Sequence, residues 1–165
     1  MNSTTILTHT QIEHKIRRIA LQILESNSTA NKIILAGIAT NGYIIAKKLK
    51  EVIADYAAVE IVLCKVTINK KDLQQPIKLS INETEYTNES VVLIDDVLNS
   101  GGTLIYGVKH FLNTPLKQLK TAVLINRNHK KYPIKADFKG LSLSTSIHEH
   151  IEVSFENKTA VATLI

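Results

Sequence analysis

Val91-Val92-Leu93-Ile94-Asp95-Asp96-Val97-Leu98-Asn99-Ser100-Gly101-Gly102-Thr103, VVLIDDVLNSGGT in one-letter form, is the stretch from which the fold can be read. Its first four residues are an apolar run rich in β-branched side chains. Such a run predicts a strand buried on both faces. It stops at two carboxylates, Asp95 and Asp96, and a polar Gly-rich loop follows from Asn99 to Thr103. A helical apolar pattern comes next, about 103–112, with Leu104, Val108, Phe111 and Leu112 expected against the sheet. This order places polar groups at the carboxyl end of a central strand, where open α/β sheets bind ligands.

Each part of the string has a chemical use. Glycines leave room for successive backbone N–H groups to converge on one anion. Ser100 and Thr103 add hydroxyl donors, and a helix start adds unpaired N–H groups and the positive end of the helix dipole. A monophosphate suits such a loop. Asp95 and Asp96 repel phosphate, but they can accept hydrogen bonds from a sugar diol or hold a hydrated divalent cation. Phosphate beside diol describes a ribose 5-phosphate. Asp-Asp and Gly-Gly taken alone fit a tight strand-to-helix turn with solvated carboxylates equally well, and only the whole string favours a site. No Lys follows the glycines, so this is not a P-loop, and no G-x-G-x-x-G is present here.

The string resembles the phosphoribosyl-diphosphate (PRPP) signature of type I phosphoribosyltransferases. The resemblance implies that Asp95 and Asp96 contact the ribose hydroxyls, and that Asn99, Ser100, Gly101, Gly102 and Thr103 wrap the 5-phosphate.

Length and composition agree with one α/β domain spanning 1–165. A chain of 165 residues with 44% apolar side chains can bury a real core. Twenty Lys and Arg against fifteen Asp and Glu give a formal net charge of +5, which suits an anionic ligand and equally suits nucleic acid. Cys64 is the single cysteine, so no internal disulfide can form, and it reads as a small buried hydrophobe. No apolar run approaches the ~18 residues that span a bilayer. The N-terminal residues lack a basic start and a long apolar stretch, so a cytoplasmic protein is expected.

Outward from the central string, apolar residues at helical spacing predict a first helix over 8–26, with Thr10 as N-cap and Glu13 as its capping-box partner. Ile33 to Ile38 reads as a buried strand that runs into Ala39-Thr40-Asn41-Gly42, and a helix follows over about 43–56. This second strand–loop–helix offers a second anion cradle. Val59 to Ile68 reads as a third strand. Residues 69–88 turn polar, with Lys70, Lys71 and Asp72, and an excursion of that length suits a β-hairpin that opens and closes. Leu119 to Ile125 is another buried strand, and two last strands, about 150–155 and 159–164, flank an Asn157-Lys158 turn. The order implies a mainly parallel sheet with right-handed crossovers.

The segment from Asn126 to Val153 carries a narrower resemblance, to the bifunctional pyrimidine-operon attenuator/uracil phosphoribosyltransferase branch. The matching residues are Arg127, His129, Pro133 to Phe138, Gly140, Thr145-Ser146 and Glu149. Arg17 to Ala20, Gly37-Ile38, Gly42, Thr67 and Asp72-Leu73 add to them. The resemblance implies the type I fold, with a flexible lid over about 69–89 and a hood over about 126–150. It implies a diphosphate loop at Ala39, Thr40, Asn41 and Gly42, often with an unusual peptide geometry. It further implies Lys70 or Lys71 reaching the leaving group, and base contacts from Asn126, Arg127, Phe138 and Lys139. Mg²⁺ is the implied cofactor, with Asp95 as its contact through water. The histidines show no convincing metal arrangement.

The expected activity is transfer of the 5-phosphoribosyl group from PRPP to a nucleobase, uracil giving UMP and diphosphate. The expected assembly is a homodimer or larger homo-oligomer. Two alternatives stay open: a nucleotide-sensing, RNA-binding regulator of pyrimidine genes, and a catalytically silent PRPP or nucleotide sensor. The second is motivated by Asn41, Asn69-Lys70 and Asn99, which stand where the family carries other residues.

Overall fold

Strand β5 (Ser90–Leu98) is the axis of the fold. It pairs in parallel with β2 (Lys32–Ile38) on one side and with β6 (Gln118–Arg127) on the other, so Ile94 faces Gly37 and Ala122 across the two ladders. The structure, a computed structural model, describes residues 3–165. Beyond β2 lie β3 (Glu60–Thr67), parallel, and β4 (Lys78–Leu79), antiparallel. Beyond β6 lies β7 (Phe138–Leu143), also parallel. The six-stranded order is β4-β3-β2-β5-β6-β7, the mainly parallel sheet expected from the alternation of strands and helices.

Both faces of this sheet are covered. Helices α1 (His9–Ser26) and α2 (Asn41–Ala54) pack on one face, where Ile12, Ile16, Ile45 and Leu49 meet Val92, Ile94 and Leu124. Helix α4 (Gly102–Phe111) packs on the other, where Leu104 and Phe111 meet Val91, Leu93 and Val123. Alternate residues of β5 therefore serve two cores, which is why Val91 to Ile94 must all be apolar.

Helix α1 begins at Thr8 rather than at Thr10. Thr8 Oγ1 accepts from the Gln11 N–H, and Gln11 Oε1 accepts from the Thr8 N–H, so the capping box sits two residues earlier than expected. Glu13 instead reaches Lys48 of α2 at 3.2 Å. Leu112 is also corrected: it follows the last helical residue of α4 and is 63% exposed, while Phe111 fills the core position.

The lid region is only partly a hairpin. Two residues, Lys78 and Leu79, pair back onto Thr67 and Val66, and then a short helix, α3 (Glu83–Tyr86), anchors the return limb. Tyr86 is buried there, edge-on to Phe111 with ring centroids 5.2 Å apart. The expected hood over 126–150 is interrupted by β7, a full member of the sheet, and so comprises two irregular stretches on either side of a strand.

A second, three-stranded sheet of order β1-β9-β8 closes the α1–α2 side. It joins β1 (Thr4–Leu7) to β9 (Thr159–Leu164) and β9 to β8 (Ile151–Glu156), all antiparallel. Asn157 and Lys158 both take positive φ, 51° and 60°, as a tight primed hairpin turn requires. Among the described residues, no helix is long and apolar enough to cross a membrane.

Candidate active site at the carboxyl end of the central strand

Helix α2 starts close against β5 because Gly42 has no side chain. A Cβ at Gly42 would lie 2.4 Å from the Ile94 carbonyl oxygen and 3.0 Å from Asp95 Cα. That approach brings the neighbouring Asn41 to the acidic pair. Asn41 Nδ2 donates to Asp96 Oδ2 and to the Val153 carbonyl of β8, both at 2.8 Å. One amide thus ties the second loop, the central strand and the small sheet together. The Ala39–Thr40 peptide in this loop is cis, at the position where the family resemblance implies an unusual peptide geometry.

The phosphate-type loop is held from its far side. Gly101 takes φ 86°, a left-handed conformation that strains any residue with a Cβ. The Ser100 carbonyl accepts from the Lys131 and Tyr132 N–H groups at 2.7 and 3.1 Å, so the stretch after β6 buttresses the loop. Ser100 Oγ accepts from the Gly102 N–H at 3.2 Å. The first helical bond of α4 runs from the Ile105 N–H to the Gly101 carbonyl. The amides of Thr103 and Leu104 therefore precede any intrahelical partner and belong to the anion-attracting end of the helix.

Asp95, Asp96, Asn99, Ser100, Gly101 and Thr103 line one cavity of about 170 Å³, with Lys70 at its rim and Leu98, Leu104 and Val123 as apolar wall. At ~30 Å³ per water, that space holds a phosphoryl group with several waters. Asp95 is 5% exposed. Burial, and next the charge of Asp96, push its carboxyl up to about 8, while Lys70 pulls it back down. Lys70 Nζ lies 3.9 Å from Asp95 Oδ1. A buried carboxylate this short of positive charge suits a cation or a hydroxyl donor.

Asn69 sets the position of Lys70. Its Oδ1 accepts from the Lys71 and Asp72 N–H groups, closing a tight turn of the kind Asn and Asp side chains favour. Lys70 thereby overhangs the cavity, and Lys71 is exposed and away from it.

The four residues expected at the base separate. Asn126 sits beside Leu98 in the ladder at the open end of the sheet, and its Oδ1 is buried without a hydrogen-bond partner in the protein. Arg127 is buried and bonded wholly to protein acceptors, Asn99 among them. None of the four lines the cavity, and Phe138 and Lys139 lie farthest along the chain from its walls. Phe138 opens β7 opposite Ala122 and packs into the α1-side core, and the Lys139 carbonyl accepts from Arg18 at 2.9 Å. They lie at the wrong end of the strand, several residues short of the carboxyl edge. No sequence signal marked the bond from Arg127 to Asn99, which joins residues 28 apart.

Comparison with known proteins agrees with this geometry. The phosphoribosyl transferase domain family matches residues 2–158. A protein of Fusobacterium nucleatum named bifunctional protein PyrR is 35% identical over 151 residues, covering 86% of this chain and 85% of that one. The protein of the same name from Staphylococcus saprophyticus is 33% identical over 165 residues, covering 94% of each. Among solved structures, a hypoxanthine-guanine phosphoribosyltransferase from Bacillus anthracis superposes with a TM-score of 0.76 over 98% of this chain and 99% of that one, at 18% identity. A hypoxanthine phosphoribosyltransferase from Trypanosoma cruzi gives 0.78 over 95% and 92%, at 15% identity. At those identities the two structures speak for the fold alone. With one family spanning nearly the whole chain and relatives above 30% identity along its length, the protein belongs to the phosphoribosyltransferases, in the branch of the bifunctional PyrR proteins.

Proposed function

We propose that the protein transfers the 5-phosphoribosyl group of PRPP to uracil, giving UMP and diphosphate. The observation that carries this reading is the shared cavity: the acidic pair, the Gly-rich loop and the lid lysine all line one space of ligand size. The loop of Asn99 to Thr103 takes the 5-phosphate, and Asp95 and Asp96 take the ribose hydroxyls. Lys70 stands over them on the lid, placed to meet the charge of the departing diphosphate. Asn126, level in the ladder with Leu98 of the cavity wall, is the base-side residue of this reading.

In the reaction the bond from the anomeric carbon to the diphosphate oxygen breaks and a bond to uracil N1 forms, with loss of the N1 proton. No protein nucleophile is needed. The protein contributes orientation, fixed donors for the developing charge, and exclusion of water by the lid. Asp95 has the chemistry to hold Mg²⁺ through water: it is a carboxylate on the cavity wall whose titration is pushed up to about 8 by burial and then by Asp96, and a cation would favour its charged form. Magnesium usually takes one or two protein carboxylates and completes its shell with phosphate and water. When bound, it supplies charge to the diphosphate. Assembly as a homodimer or larger belongs to this reading and is checked by light scattering.

Product formation from PRPP, Mg²⁺ and a panel of free bases tests the activity, with UMP expected from uracil. Asp96→Asn is expected to weaken PRPP binding and turnover at least about tenfold with the fold intact, in line with loss of a charged hydrogen-bond acceptor. Full activity in that variant removes the carboxylate from the reaction. Absence of product with every base leaves the silent sensor as the surviving reading.

RNA binding is the second reading, favoured by a specific surface. His14, Lys15 and Arg18 of α1 line a groove with Gln11 and Leu141, on a chain whose formal net charge is +5. Salt-dependent binding to a pyrimidine leader RNA, changed by UMP, is expected; no binding at low salt excludes it.

A further inference from the structure

Arg127 is 7% exposed, yet its guanidinium faces only neutral acceptors. Nη1 donates to Asn99 Oδ1 at 2.9 Å, on the phosphate-type loop. Nε donates to Thr145 Oγ1 at 2.9 Å, and Nη2 to the Glu149 carbonyl at 2.8 Å and the Ser146 carbonyl at 3.3 Å. None of its hydrogen bonds goes to a carboxylate. The Glu149 carboxylate lies in solvent and accepts from the Ser146 N–H instead. Arg127 acts on that carboxylate only through space, helping to hold it below the usual range, and a buried cation with no carboxylate bonded to it is costly.

The second end of this fork holds a segment that has little else. Residues 144–150 carry no regular structure, and Ile147 is 81% exposed. Besides Arg127, the segment is tied down by His129 Nε2 against the Thr145 carbonyl and by the His150–Ile165 backbone pair at its end. The first end lies on Asn99, which lines the cavity. Asn99 gives its oxygen to Arg127, and that leaves its Nδ2 donor for a ligand.

We propose that Arg127 is a positioning residue that couples anion binding at the Asn99–Thr103 loop to the ordering of residues 144–150. A sugar phosphate in the cavity adds negative charge on the Asn99 side of the guanidinium, where no carboxylate bonds it, and its bond to Asn99 fixes the amide that Arg127 grips. The guanidinium is planar, so fixing Nη1 also fixes the directions of Nε and Nη2, and with them Thr145, Ser146 and Glu149. The effect is reciprocal: a tethered 144–150 segment holds the loop ready for the anion. The proposal rests on the reading of this loop as the 5-phosphate site.

Hydrogen exchange on the full chain tests it, with ribose 5-phosphate as probe and ribose as the uncharged control. In the wild type, ribose 5-phosphate slows exchange both in 99–103 and in 144–150, the latter by at least about fivefold, the lower end of typical coupling energies. Ribose slows neither. Arg127→Lys keeps the charge and loses the fork, and Thr145→Val removes the acceptor of Nε while leaving the Arg127 side chain and its bond to the loop in place. In both, protection of 99–103 persists; protection of 144–150 is lost in Arg127→Lys and weakened in Thr145→Val, which keeps the Ser146 and Glu149 carbonyl acceptors. Should Arg127→Lys fail to fold, Thr145→Val carries the comparison. Protection confined to 99–103 in the wild type overturns the coupling and leaves the phosphate site standing. Protection of neither segment overturns the phosphate site, and the coupling with it.

Discussion

Lys70 Nζ lies 3.9 Å from Asp95 Oδ1, so an exposed loop ammonium reaches a carboxylate that is almost wholly out of water. The pair links the position of the polar loop after β3 to the protonation state of the cavity. Lys70 pulls the Asp95 carboxyl down against burial and against Asp96. Lys70→Met should therefore move the Asp95 titration above its present value of about 8. A carbon-detected NMR titration of the Asp95 carboxyl checks this. An unchanged midpoint would show that the lid does not sense the carboxylate.

Asp95 itself should cost the folded state stability at neutral pH. Its folded value, about 8, lies above the ordinary 3.8, so the folded chain keeps a proton that the unfolded chain has already lost. The contribution is fully favourable below pH 4 and is lost as pH climbs towards 8. At 1.36 kcal/mol per unit the ceiling is about 6 kcal/mol, and solvent relaxation lowers it. Asp95→Asn is expected to be more stable than the wild type at pH 7.5 by less than that ceiling, with the gain vanishing near pH 4. Urea unfolding at the two pH values measures it.

Asn41 serves two acceptors with one amide nitrogen, Asp96 Oδ2 and the Val153 carbonyl. Asn41→Ala leaves both without that donor. A loss of about 1–2 kcal/mol is expected, since both groups are only partly buried. PRPP affinity should fall as well, because Asp96 is then free to rotate. Asn41→Asp is expected to be worse than Ala at pH 7, since it sets two carboxylates against each other. Chemical denaturation and calorimetric titration separate the two effects.

Two glycines should answer differently to the same methyl group. Gly42→Ala drives a Cβ to 2.4 Å from the Ile94 carbonyl, and backbone on both sides cannot yield, so a loss above about 3 kcal/mol or failure to fold is expected. Gly102→Ala meets Leu73 Cδ1 at 2.9 Å, the tip of a side chain that can rotate, so a loss of about 1 kcal/mol or less is expected. Thermal unfolding of the two variants ranks them.

The axis of the fold was legible because its signal is local. Val91 to Ile94 must be apolar on both faces, and a loop of Asn99 to Thr103 has few other uses. Other elements gave weaker signals. Strand β7 reads Phe-Lys-Gly-Leu-Ser-Leu, with a glycine and only moderate alternation, and it needs β6 and α1 to become a strand. Gly140 is there because a Cβ would meet the Leu124 carbonyl at 2.5 Å, a demand visible only once the strands are paired. Phe138 looked like a base-stacking ring for the same reason: position along the sheet decides whether a residue ends near the cavity, and sequence alone does not give register. Strand β1 is four residues long, too short to announce itself. Thr8 and Thr10 are both good caps, and only the Gln11 side chain discriminates between them.

Strand β9 lies between β1 and β8, so Thr4 and Ile151 both face Leu164. The two extremities of the described chain are thus neighbours in space. Joining them by a short linker and reopening the backbone at the exposed turn around Tyr56 should yield a permuted protein with every ladder preserved. Trimming the last seven residues instead removes the middle strand of three, leaving β8 without its partner. Because the Val153 carbonyl helps steady Asn41, damage to β9 reaches Asp96 and the cavity it lines through a single amide.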